Sequence, residues 1–138
     1  MRAHLLIPAV LLLATAACSG SSDTATPKST ATPCPTTPSA APPALTSGVP
    51  DPGGTAYDYS AQGKTLVWFY EVDGTAADLA SLRDAYDTKL TTAGYKILDT
   101  DAEPNAEAES SFAGAHSGTT NFRPLCSGKV VFRLKLTE

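Results

Sequence analysis

A chain of 138 residues with ten Lys and Arg against fourteen Asp and Glu carries a formal net charge of −4 at pH 7. That length has room for one small domain, and the acidic balance, with no basic cluster, excludes electrostatic capture of nucleic-acid phosphates or of an anionic lipid surface. Three cysteines and two histidines, with no Cys-x-x-Cys and no Cys/His spacing of the zinc-site kind, give no expectation of a metal or other cofactor.

The first element in chain order is an apolar run. Arg2 supplies a positive charge, and Leu5 to Ala17 is apolar or small apart from Thr15. A transmembrane helix needs about 20 apolar residues, so this run is too short to span as a mature helix. It has the layout of a secretory signal ending in small residues, residues 1–17. Arg2 stands alone, so a twin-arginine export signal is not supported. The end of the run, Thr15-Ala16-Ala17-Cys18, resembles the lipobox of bacterial lipoproteins, although Leu is more usual where Thr15 stands. That resemblance implies cleavage before Cys18, a thioether-linked diacylglycerol on its sulfur, and a further acyl chain such as palmitate on the freed amine. The implied location is the extracytoplasmic face of the cell membrane. Each buried CH2 contributes about 0.8 kcal/mol, and two or more chains anchor where one is marginal. Removing the signal takes Arg2 with it and leaves the chain more acidic still, so the lipid alone would do the anchoring.

Residues 18–47 read as a tether. Ser, Thr, Ala and Pro dominate, and Leu45 is the one large apolar side chain. Such a stretch buries too little to offset its ordering entropy, and its prolines favour extended, semi-rigid conformations. Its composition resembles the O-glycosylated stalks of exported actinobacterial lipoproteins. With Cys18 set aside, Cys34 and Cys126 remain as an even pair in an oxidising compartment, where a disulfide is expected; the alternative is two separate thiols. Pairing would pin residues 35–47 to the domain, leave residues 19–33 as free tether, and add about 2–4 kcal/mol.

Residues 48–138 carry the periodic segments. A short strand near 55–60 precedes the aromatic, β-branched run Lys64-Thr-Leu-Val-Trp-Phe-Tyr-Glu-Val72, which reads as a strand. There Leu66, Trp68, Tyr70 and Val72 share one face, and Val67 and Phe69 the other. Residues 75–93 predict a helix, with Leu79, Leu82, Tyr86, Leu90 and Ala93 on one stripe. Thr75 and Asp78 form a capping signal at its start, and Gly94 closes its end. Residues 95–99 read as a strand, 107–115 as a weaker one, and 129–136 as a strong one, with Val130, Phe132, Leu134 and Leu136 alternating with Val131, Arg133 and Lys135. The economical fold is α+β: a two-layer sandwich of four to five antiparallel strands on one amphipathic helix. A split βαβ arrangement with one parallel pair is the alternative. The helix-to-strand junction Tyr86, Leu90, Gly94, Tyr95 is similar to one in small actinobacterial lipoproteins, and that resemblance implies a shared scaffold without an activity.

No catalytic set emerges. His116 is the one histidine after the signal and sits in a Gly/Ser/Thr-rich stretch, with no Gly-x-Ser-x-Gly turn to present a nucleophile to it. Asp99, Asp101 and Glu103 alternate, but an EF-hand loop begun at Asp99 would place Pro104 and Ser110 where Gly and Glu are needed. The stretch 99–109 therefore reads as a solvated hairpin loop. The remaining candidate is the strand face bearing Val67 and Phe69, together with Val131. If one helix covers one side of the sheet, these residues lie on the open side, where an apolar patch marks a binding site. The expectation is a non-enzymatic envelope module whose partner is an envelope protein or a cell-wall component, with a small-ligand or lipid-binding lipoprotein as the alternative.

Overall fold

The two most strongly alternating segments pair with each other. In the computed structural model, which describes residue 34 and residues 41–137, β2 (Thr65–Asp73) lies antiparallel to β6 (Lys129–Thr137). Trp68 is opposite Leu134, and Tyr70 opposite Phe132. Because side chains alternate across a strand, this register places Trp68, Tyr70, Val72, Val130, Phe132, Leu134 and Leu136 on one face, all buried. β1 (Thr55–Gln62) borders β2 as an edge strand. On the other side run β5 (Ser117–Cys126), β4 (Glu107–Ala113) and β3 (Lys96–Glu103), giving the order β1-β2-β6-β5-β4-β3 with every neighbouring pair antiparallel. The chain leaves β2, crosses the sheet as α1 (Leu79–Thr92), enters at the far edge as β3, and returns strand by strand to β6.

The fold is α+β, with one helix packed on one antiparallel sheet, but the sheet has six strands rather than four to five. The additional strand is β5. Gly118, Asn121 and Pro124 interrupt its apolar pattern, so the segment has loop composition; its pairing partners on both sides hold it in the sheet. Gly118 is there for space: a Cβ would stand 2.3 Å from the Lys135 carbonyl oxygen and 2.8 Å from the Phe112 ring. β3 also runs on to Glu103, through acids that read as a loop, and the turn is confined to residues 104–106. Among the described residues no parallel pair forms, so the split βαβ alternative does not apply.

α1 begins at Leu79, four residues after the expected start. Residues 75–78 form a turn, with the Asp78 N–H donating to the Thr75 carbonyl at 3.0 Å. The Asp78 carboxylate reaches back to accept from the Thr75 N–H and hydroxyl at 2.8 and 2.7 Å, as the acidic member of a capping box does. Leu79, Tyr86 and Leu90 are buried, whereas Ala93 at the end of the expected stripe is exposed. Gly94, at φ +90°, closes the helix, and the Tyr95 N–H donates to the Leu90 carbonyl, the long-range bond of a glycine-terminated helix. Among the described residues no helix is long and apolar enough to cross a membrane.

One helix is too narrow for this sheet. Six strands about 4.8 Å apart are broader than a helix about 10 Å across, and α1 lies over β3, β4 and β5. The rest of the layer is an irregular arm, residues 41–54. Leu45 and Val49 join the core upstream of or beside Gly48. The Trp68 Nε1–H donates to the Pro43 carbonyl at 3.1 Å. On the other flank, the Tyr86 hydroxyl and the Lys89 ammonium, both on α1, donate to the carbonyls of Pro50 and Asp51 at 2.9 and 3.0 Å. Cys34 and Cys126 are joined as a disulfide, Cα atoms 5.1 Å apart, which holds the chain ahead of the arm against the end of β5.

Candidate functional site

The helix and the arm cover one face of the sheet; the other face is bare among the described residues. Register fixes what it presents. One row runs Asp101 on β3, Glu109 on β4, Asn121 on β5, Arg133 on β6 and Phe69 on β2. The next runs Asp99, Ser111, Thr119, Lys135 and Val67, and the third Glu103, Glu107, Arg123, Val131 and Glu71. The face therefore changes character from edge to edge: acidic on β3 and β4, basic on β6, apolar on β2.

The apolar part contains the expected trio. Val67 and Phe69 lie on β2 and Val131 on the adjacent β6, diagonal to Phe69 and on the same side. All three are half-buried. Phe69 packs on Tyr57 of β1 with ring centroids 6.2 Å apart. Burial raises the Tyr57 pKa, and the nearby Asp58 and Glu71 charges raise it further.

At the foot of the face, Lys129 bridges Asp73 at 2.7 Å and Glu71 at 3.2 Å. The hydrogen bond to Lys129 holds the Asp73 carboxyl below the usual range, and the same bond raises the Lys129 pKa. Glu107 is fixed from two sides, by the Asn121 amide and by the Arg123 guanidinium, whose Nε donates at 2.7 Å. Those hydrogen bonds, Asn121 first, lower its pKa. Asn121 also donates to Glu109. Arg133, between Asn121 and Phe69 in the row, forms no ion pair or side-chain hydrogen bond among the described residues. It lines a depression of about 280 Å³ together with Asp99, Asp101, Glu109, Ser111 and Thr119.

No protein-family model matches the chain, and no curated protein or solved structure matches it. The chemistry of this face rests on its own residues.

His116 lies in the turn between β4 and β5, half-buried and without a side-chain hydrogen bond among the described residues. Asp99, Asp101 and Glu103 point to the bare face rather than around a loop. Among the described residues no group of three or more His, Cys, Asp or Glu side chains is placed to hold a metal ion. Cys18 and residues 1–17, where a signal is expected, lie outside the described residues.

The mixed-charge depression was not read from the sequence. Its parts were visible separately, as the Asp99/Asp101/Glu103 alternation and as Arg133 and Lys135 on the wet side of β6. Bringing them together requires β5 to lie between β4 and β6, and β5 had no strand signature.

Proposed function

We propose that the chain is a lipid-anchored, non-enzymatic envelope module, held through Cys18 at the extracytoplasmic face of the cell membrane, that binds an envelope protein or cell-wall component through the sheet face opposite α1. The observation that carries the binding part is the grouping of Val67, Phe69 and Val131 on that bare face, flanked by fixed rows of charge. An uncovered face that sets apolar side chains beside charged ones is a common make-up of an interaction surface. The anchoring part rests on the lipobox-like residues ahead of Cys18. The alternative, a ligand held between helix and sheet, has two spaces: one of about 70 Å³ bounded by Pro52, Val72, Leu82, Tyr86 and Phe122, and one of about 310 Å³ between the start of α1 and the β3–β4 turn, lined by Ala76, Leu79, Ala80, Ala102 and Pro104. Ordinary ligand pockets hold about 300–1,000 Å³, so the second is the place for such a ligand, and the depression around Arg133 is the place for one on the open face.

In-cell cross-linking tests the reading. The wild-type protein is expected to capture a discrete partner that Phe69→Asp loses while remaining folded, and Cys18→Ala is expected to leave the membrane fraction. Capture unchanged in Phe69→Asp removes the face, and full membrane retention of Cys18→Ala removes the anchor.

A further inference from the structure

Arg133 is an unusual resident of its row. Carboxylates line the same depression, yet none comes within ion-pairing distance of its guanidinium. Arg133 is half-buried, and an arginine withdrawn from water beside carboxylates ordinarily pairs with one of them. Here the nearest acid in the row, Glu109, is engaged by the Asn121 amide, which sits between it and Arg133 in the register. Asp101 faces Glu109 directly across the β3–β4 pair, a like-charge opposition that costs stability. Opposite charges are thus held apart across one concavity: β4 and β6 are two strands apart and β3 and β6 three, which puts their backbones roughly 10–14 Å from each other at the usual strand spacing. The side chains of both poles line one depression of about 280 Å³, and Ser111 and Thr119 line it on the strands between β3 and β6.

A molecule with both charges complements such a site. A carboxylate pairs with the planar guanidinium through two parallel hydrogen bonds, and an ammonium satisfies the facing acids. A bare metal cation is the wrong guest, because Arg133 repels it. We propose that the depression lined by Asp99, Asp101, Glu109 and Arg133 binds a small zwitterion, an amino acid or short peptide carrying an ammonium and a carboxylate at opposite ends. This rests on taking the face opposite α1 as the working surface, and it assigns the polar half of that face, next to the apolar half around Phe69.

Isothermal titration calorimetry on the full-length oxidised protein tests it, with 6-aminohexanoate as the probe and hexanoate and hexylamine as single-charge controls. The zwitterion is expected to bind, and each control to bind about tenfold more weakly or worse. Arg133→Gln is expected to reduce 6-aminohexanoate to the level of hexylamine, and Asp101→Asn to weaken it. Both side chains lie on the solvent side of the sheet, and an unchanged thermal melt shows that each variant is folded. No measurable heat with millimolar 6-aminohexanoate overturns the proposal. So does hexylamine binding as well as the zwitterion, or Arg133→Gln binding like wild type. If the zwitterion fails while Phe69→Asp still abolishes partner capture, this inference falls alone. If the zwitterion binds and no partner is captured, the partner reading falls and the site stands.

Discussion

Asp87 lies on the inner side of α1, 9% exposed, with the Ser110 Oγ 2.8 Å from each of its carboxylate oxygens. No cation pairs with it, and Thr120, opposite Ser110 on β5, keeps its hydroxyl unpartnered among the described residues. Burial raises the Asp87 pKa, while the Ser110 hydrogen bond and the Arg83 charge pull it down and lose. The sign for stability follows. A raised pKa means that the folded protein takes up this proton before the unfolded chain does. The resulting stabilisation is complete below the ordinary Asp value of about 3.9 and is lost as pH rises through the raised value, above which the carboxylate is a buried charge. Asp73, Asp78 and Glu107 have lowered pKa values and act oppositely, their contribution fading as pH falls. Asp87→Asn is therefore expected to gain stability relative to wild type between pH 4 and pH 7. Urea midpoints for both proteins at the two pH values check this; a constant difference contradicts it.

At the scale of elements, what the sequence made legible depended on how each segment meets solvent. β2 and β6 bury one face and α1 buries one stripe, so their periods of two and 3.6 were written into Trp68, Tyr70 and Val72, into Phe132, Leu134 and Leu136, and into Leu79, Tyr86 and Leu90. β5 defeated the pattern because Gly118 is dictated by the Lys135 carbonyl beneath it rather than by propensity. β3 defeated it because its bare face is acidic and its edge needs charge to discourage pairing with other chains. The arm was the least visible element, because Pro, Ala and Ser composition gives no period and its docking rests on Leu45, Val49 and hydrogen bonds accepted by its own carbonyls. The Val67/Phe69/Val131 face was legible from alternation, whereas the depression beside it needed the register of β5. Trp68→Phe tests how the arm is held. Losing the Nε1–H bond to Pro43 is expected to cost about 1 kcal/mol, or roughly a fivefold rise in arm opening. Native-state proteolysis between residues 41 and 50 should accelerate by that factor while cleavage elsewhere does not.

For the whole molecule, the disulfide and the core act on different states. The buried side chains of β2, β6 and α1 hold the folded form together. The Cys34–Cys126 link joins positions 92 residues apart and chiefly restricts the unfolded chain. The arm also has contacts of its own, so the fold is expected to survive loss of the link. Replacing both cysteines with serine is expected to lower unfolding free energy by about 2–4 kcal/mol with an unchanged circular dichroism spectrum. A collapse of the spectrum means that the arm and its layer need the staple to form at all.

The same link decides where mechanical load enters. Tension on any residue ahead of Cys34 passes through sulfur to Cys126, at the end of a strand paired on both sides. It bypasses the arm, whose attachments would otherwise peel one after another from Ala41 onward. A pull along β5 strains two ladders of hydrogen bonds together, in shear. In the reduced protein the same pull arrives at the weakest layer first. Oxidation thus fixes the handle near the middle of the sheet.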